Sequence, residues 1–378
     1  MKKDYLLTPG PTPVPPQALL AMAKPMIHHR TPQFMEFLKE ATQNLKYVLQ
    51  TNYDVFIFAS SGTGAMDASV CNLLSSGDKA LVVNTGKFGE RFKEICAAYG
   101  VESICLDVVY GEAVSPKLIE DTLAKHKDIK AVYTTLCETS TGVINDIKAI
   151  GEVVEKTPAV LIVDTISGLG ACEFKMDEWS VDVAVCGSQK GLMLPPGLAF
   201  IGISPKAWKL VEQSKLPKYY FDFKQAKKAL DKNDTPFTPA VSLVIGLCET
   251  LKIIKQEGLE NVWKRHERLA NAMRQAVKAL GLELFAKSAS SNAVTAVKAP
   301  QGIDSENVVK LLRDKYGVWI AGGQAHMKGK VFRIAHMGYM TEPDILVAIS
   351  ALEMVLVEIG YKCEQGAGVK AAEEALKQ

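Results

Sequence analysis

Seven apolar, β-branched runs, at residues 54–59, 80–84, 102–108, 131–135, 159–164, 182–186 and 198–203, dominate the first half of the chain. Stretches with helical periodicity lie between most of them, at 64–74, 86–99, 115–126 and 147–156. The runs are apolar at nearly every position rather than at every second one, so both faces of each strand must be covered. That alternation predicts an α/β fold: a mostly parallel, seven-stranded sheet with helices on both faces. Ser115-Pro116 reads as a helix start, an N-cap followed by a proline at the first helical position. Ser76-Gly77-Asp78 reads as a turn between units.

The flanking regions differ. Pro9, Pro11, Pro13, Pro15 and Pro16 exclude a helix or central strand over residues 1–16 and leave an extended arm. Leu6, Leu7 and Val14 suit such an arm to docking on its own chain or on a second subunit; a frayed terminus is the other reading. Pro205, Pro217, Pro236 and Pro239 mark residues 205–240 as irregular, and a long helical stretch at 241–280 breaks near Gly258. Short strand candidates at 293–299, 318–321 and 330–335 then alternate with helices near 305–316 and 342–359. The expected organisation is an arm at 1–16, a large domain at 17–255 and a smaller α+β domain at 256–378. The tail beyond Gly360 reads as a loose helix.

Composition narrows the function classes. Of 378 residues, 48% are hydrophobic and 23% charged, which excludes a disordered or fibrous chain. Lys+Arg (44) and Asp+Glu (42) leave a net charge of +2, so no basic field invites nucleic acid. No apolar run approaches the ~20 residues of a membrane helix, and Met-Lys-Lys-Asp-Tyr is not followed by the apolar stretch of a signal peptide. Eight scattered cysteines, none in Cys-x-x-Cys spacing, read as reduced and buried, in a cytoplasmic protein. The six histidines, at 28, 29, 126, 266, 326 and 336, show no metal-ligand spacing, so no metal is expected.

In an open parallel sheet, ligands bind beyond the carboxyl ends of the strands. After the first run comes Ser60-Ser61-Gly62-Thr63-Gly64, opening a helix; small residues and a helix N-terminus suit a phosphate, and a plain glycine-rich turn is the alternative. Glu138-Thr139-Ser140-Thr141-Gly142 follows the fourth run as a hydroxyl cluster or a helix-capping turn. Asp164 ends the fifth run, a costly place for an acid unless a cation meets it or it caps a helix. Lys190 follows the sixth run in Gly187-Ser188-Gln189-Lys190 and precedes an apolar, proline-rich stretch. Desolvation there supplies a neutral amine, a nucleophile for carbonyls, unless the side chain reaches solvent. A phosphate loop, hydroxyl cluster, aspartate and lysine together are what pyridoxal phosphate requires: an anchored phosphate, a carboxylate for the ring nitrogen and a Schiff-base lysine.

These motifs, with Thr8-Pro9-Gly10-Pro11-Thr12, Thr235-Pro236-Phe237-Thr238-Pro239 and Val331-Phe332-Arg333-Ile334, resemble the class V aminotransferases of fold type I over nearly the whole chain. The branch is that of the alanine–glyoxylate and serine–glyoxylate (serine–pyruvate) enzymes. The resemblance implies pyridoxal 5′-phosphate as cofactor, Lys190 as its Schiff-base lysine and Asp164 as partner of the ring nitrogen. Ser61, Gly62, Thr63 and Gln189 would bind the phosphate, Thr139 the ring 3-hydroxyl, and Ile166 and Phe88 the two ring faces. Relatives often carry Trp where Phe88 stands; a phenyl ring keeps the stack and loses the indole N–H. Thr235 and Thr238 would reach the phosphate of a neighbouring subunit, making a homodimer with shared sites. Some relatives have Tyr in place of Thr235.

Arg333 matches the arginine that clamps the substrate α-carboxylate, a role for its fork geometry; a surface ion pair on an edge strand is the other reading. His28-His29-Arg30 would lie at the active-site mouth, with Arg30 either reading the substrate or forming a surface ion pair. The implied activity is transfer of an amino group from a small L-amino acid such as alanine, serine or aspartate to glyoxylate or pyruvate; the sequence does not fix the pair. A desulfurase on the same fold would need a ring-stacking His, where Phe88 stands, and a loop cysteine, which 322–330 lacks. A non-catalytic assembly protein would have lost Lys190 or Asp164.

Overall fold

The computed structural model describes residues 3–287 and 289–377. The apolar runs become β1 (Asp54–Ser60), β2 (Lys79–Asn84), β3 (Glu102–Asp107), β4 (Ile129–Thr135), β5 (Val160–Asp164), β6 (Val183–Gly187) and β7 (Gly197–Ile203) of one sheet. Its order is β1-β7-β6-β5-β4-β2-β3, and only β7 runs antiparallel to its neighbours. Alternate residues feed two cores: Val55, Leu81, Val132, Leu161 and Val163 enter one, and Phe56, Val82, Tyr133 and Ile162 the other. That is the period-2 consequence of strands buried on both faces.

Ser60, Thr135, Asp164 and Gly187 end their strands at one edge of this sheet, where β7 begins at Gly197. The sequence-expected phosphate loop, hydroxyl cluster, acid and lysine all follow from that edge.

A second sheet of β8 (Val294–Lys298), β9 (Ala321–Gly322) and β10 (Val331–Ala335) is antiparallel, in the order β8-β10-β9. Helices Ser305–Leu311 and Leu259–Ala279 pack against it. Gly258, at φ 83°, breaks the long helical stretch as expected, into Val241–Glu257 and Leu259–Ala279. The tail forms a helix, Ala367–Leu376, packed on Leu259–Ala279.

The N-terminal arm docks on its own chain. Tyr5–Leu6 pairs with Val318–Trp319 as a short parallel ladder, Leu7 is fully buried, and Leu7 O accepts from Ala335 N at 2.8 Å. Two regions are more regular than their prolines imply. Residues 205–240 contain helices Pro205–Gln213 and Phe223–Leu230. Pro205 sits at the first helical position behind Ser204, whose Oγ accepts from Ala207 N, so it starts a helix rather than breaking one. Thr31-Pro32 likewise opens the helix Pro32–Leu49, with Thr31 Oγ1 accepting from Phe34 N. No helix among the described residues is long and apolar enough to cross a membrane.

Candidate active site

Asp164 closes β5, with Thr135 of β4 and Val185 of β6 as its register partners. It is 4% exposed, and Oδ1 accepts from Ile166 N at 2.8 Å. Oδ2 takes no hydrogen bond from any described residue. Burial pushes the carboxyl up to about 7, reinforced by the nearby Glu138 carboxylate. Such a carboxylate keeps its charge when a cation stands against it, as a protonated ring nitrogen would.

Lys190 lies three residues beyond β6. It is 9% exposed, and burial pushes its ammonium down to about 8 against the attraction of Asp164 and Cys137. Arg333 and Arg91 act in the same direction as burial. The N-terminal arm holds this lysine in place. Its Nζ donates to Pro9 O, Thr12 Oγ1 donates to Lys190 O at 2.8 Å, and Thr12 N to Gln189 O at 3.1 Å. A Cβ on Gly10 would stand 2.5 Å from Lys190 Cε, and its φ of 110° favours glycine in any case.

The loop after β1 forms a cradle beside them. Ser61 starts the helix Gly62–Leu73 without a side-chain cap, leaving the first N–H groups for an anion. Gly62 lets Ile166 approach: a Cβ there would fall 2.5 Å from Ile166 Cδ1. The Gln189 amide lies beside Gly62 N, since both stand within 3.3 Å of the point a Gly187 Cβ would occupy. Its Oε1 is buried with no hydrogen-bond partner. A half-turn of that amide presents its NH2 group to an anion instead.

Phe88 lies at the start of the helix Lys87–Ala98, which a buried carboxylate caps. Glu138 Oε2 accepts from Phe88 N (3.0 Å) and Gly89 N (3.1 Å), and Oε1 accepts from Ser140 N (3.2 Å) and Ser140 Oγ. Thr139 is buried, with Oγ1 3.2 Å from Ser167 Oγ.

Arg333 sits in the middle of β10, the central strand of its sheet, and not on an edge. Its side chain reaches the loop that follows β4: Nη1 donates to Thr139 O at 3.1 Å, and Nε to Gly322 O at 2.9 Å. It is 6% exposed, and burial pushes its guanidinium down to about 10. No described carboxylate pairs with it, so the reading as a surface ion pair on an edge strand does not hold. The Glu138 carboxylate attracts it without pairing with it, and its unused donor edge suits an anionic ligand.

Among the described residues, Thr235, Thr238 and Arg30 form no hydrogen bond or ion pair with Lys190. Thr235 donates through Oγ1 to Phe237 O at 2.7 Å, and its loop packs against Ile57, Phe58 and Leu198. Arg30 pairs with Asp234 and donates to Thr235 O at 2.8 Å. Thr238 is exposed and, with Met26, His28, His29 and Leu243, lines a groove of about 610 Å³.

Sequence reasoning gave no role to Glu138 or to the arm residues Pro9, Gly10 and Thr12. The rule that singled out Asp164, an acid directly after an apolar strand, applies equally to Glu138. Nothing local in the arm signals that it reaches the lysine.

The buried amine, the buried acid beside it, the uncapped helix start and the orphaned Gln189 amide fit pyridoxal phosphate. The class V aminotransferase family model matches residues 4–346, and the chain belongs to that family. It is a pyridoxal-phosphate-dependent transaminase of fold type I. Over 98% of both chains it is 47% identical to the soluble hydrogenase 42 kDa subunit of Anabaena cylindrica. It is 40% identical to the L-aspartate–glyoxylate aminotransferase of Paracoccus denitrificans, covering all of this chain and 97% of that one. The crystal structure of ureidoglycine–glyoxylate aminotransferase from Bacillus subtilis superposes with a TM-score of 0.96 at 30% identity, covering 100% and 99% of the two chains.

Proposed function

We propose that this transaminase moves the amino group of a small L-amino acid (alanine, serine or aspartate) to a 2-oxo acid such as glyoxylate or pyruvate, in two ping-pong half-reactions. One observation carries the reading: a buried lysine amine held near neutrality shares a site with a buried guanidinium that no carboxylate pairs. The aminotransferase relatives act, by their names, with glyoxylate, and among the relatives' names theirs describe what these side chains can do.

Pyridoxal phosphate, when bound, supplies an aldehyde for the lysine amine and a ring that absorbs the electrons released at the substrate Cα. Asp164 Oδ2 holds the proton of the ring nitrogen. Ser61, Gly62, Thr63 and Gln189 bind the phosphate, Thr139 the 3-hydroxyl, and Ile166 and Phe88 hold the ring between them. Arg333 receives the substrate α-carboxylate with the donor edge not used by Thr139 O and Gly322 O. Lys190 Nζ would accept the proton from the substrate Cα and deliver it to the cofactor carbon that keeps the transferred nitrogen.

A homodimer completes this site. Thr235 and Thr238 would reach the phosphate of a second copy, and the exposure of Thr238 on a groove supports that assignment. Exposed Met26 on the wall of the groove at Thr238, with exposed Leu19 and Leu20 just before it in sequence, would give such a dimer an apolar contact. Arg30 is assigned to that loop as a brace, since its donors already engage Asp234 and Thr235 O. The division into domains at 17–255 and 256–378 is retained, with Arg333 as the bridge between them. Eight free cysteines support a reducing, cytoplasmic setting.

A panel of alanine, serine and aspartate against glyoxylate, pyruvate and 2-oxoglutarate tests the reading. At least one donor should yield its 2-oxo acid together with stoichiometric aminated acceptor. Release of ammonia, or of sulfide when cysteine is added as a donor, without an aminated product would identify a lyase instead.

A further inference from the structure

Two helix N-termini face the active site, and only one has an anion of its own. Glu138 caps Lys87–Ala98 through Phe88 N and Gly89 N. The helix Gly62–Leu73 has no side-chain cap and no acidic residue in its first turn. A cation stands there instead: Arg91 Nη1 donates to Thr63 Oγ1 at 3.2 Å, and the guanidinium lies 4.8 Å from the Phe88 ring centroid. Arg91 forms no ion pair with any described residue. A guanidinium beside the positive end of a helix dipole is unfavourable unless an anion stands with it. The hydroxyl of Thr63 points the same way. Because its oxygen accepts from Arg91, its own proton is free for a further acceptor.

We infer that Arg91 is a further ligand of the cofactor's phosphate, joining Ser61, Gly62, Thr63 and Gln189. This rests on the reading of that loop as the phosphate site and adds a residue to it. One Nη1 proton serves Thr63, and the rest of the fork remains for phosphate oxygens. Stacked on Phe88, the same guanidinium ties the ring-stacking side chain to the phosphate, so that ring and phosphate are held by one rigid unit. Its field also reaches inward, helping to push the Lys190 ammonium down.

The test compares two ligands that differ only in the phosphate. The cofactor-free full-length protein and its Arg91→Gln and Arg91→Lys variants are titrated with pyridoxal 5′-phosphate and with pyridoxal, following the ring absorbance. Arg91→Gln should weaken pyridoxal phosphate about tenfold or more while changing pyridoxal by less than about twofold. Inorganic phosphate should lose potency as a competitor by a similar factor. Arg91→Lys should fall between, keeping the charge without the fork. Equal weakening of both ligands would make Arg91 a mere support for Phe88 and overturn the inference. An unchanged pyridoxal phosphate affinity would overturn it too, and would move Arg91 to the substrate. If the wild-type protein holds no cofactor that borohydride can fix on Lys190, the phosphate-site reading itself falls, whatever Arg91 does.

Discussion

Replacing Lys190 by Met in the cofactor-free protein should stabilise it at neutral pH and not at high pH. Burial lowers the ammonium from an ordinary value near 10.5 to about 8 in the folded chain. The folded state therefore disfavours the proton that the unfolded state keeps. The penalty is full below about pH 8, shrinks between about 8 and 10.5, and vanishes above that. At about 1.4 kcal/mol per tenfold, its full size is on the order of 3 kcal/mol. Met fills nearly the same volume without the charge, so it removes the penalty and also the hydrogen bond to Pro9 O. That bond is present in both protonation states and cancels when two pH values are compared. Urea unfolding of both proteins at about pH 6.5 and pH 10.5 should give a stability difference that moves in favour of the wild type by about 3 kcal/mol on raising the pH. Repeating it in an Asp164→Asn background removes the attraction that holds the amine up, and the shift should not shrink. A stability difference independent of pH would refute the claim that this amine is desolvated.

Two further substitutions probe contacts around the cofactor. Arg333→Lys should raise the KM for the amino donor about tenfold to a hundredfold with the cofactor spectrum intact, because an ammonium cannot reproduce the fork; steady-state kinetics over the donor panel check it, and an unchanged KM would remove Arg333 from substrate binding. Gly62→Ala places a methyl 2.5 Å from Ile166 Cδ1 and should weaken cofactor retention, at a cost of about 1–3 kcal/mol. In an Ile166→Ala background, which lacks Cδ1 together with Cγ1 (2.8 Å) and Cγ2 (3.2 Å), Gly62→Ala should cost much less in the same binding assay, and an undiminished cost would mean that the two side chains do not compete for this space.

The large sheet was legible because its strands are buried on both faces, so apolar runs such as that ending at Asp164 announce themselves without a partner. Strand ends then located Asp164 and Lys190 from the topology alone. Proline was the misleading signal. Pro205 sits at a first helical position, where the missing N–H costs nothing, and only a cap such as Ser204 distinguishes that from a break. The arm was harder still. Thr12 and Pro9 meet Lys190 across 178 and 181 residues of sequence, and no local pattern encodes such a contact. Glu138 illustrates a subtler omission: its neighbours read as a hydroxyl cluster, and the donors it accepts from are backbone N–H groups of a helix fifty residues earlier. Thr235 and Thr238 have their proposed partner in another copy of the chain, so contacts within one chain do not display their role.

Everything rests on Lys190 as the residue that carries the cofactor. Purified protein loaded with pyridoxal phosphate should be yellow, and borohydride should bleach it and fix the pyridoxyl group to one peptide. Mass mapping of that peptide is the most direct measurement. The account predicts the label on Lys190 alone, and its loss in Lys190→Ala. A label on any other lysine, or undiminished labelling of the Lys190→Ala protein, would contradict it.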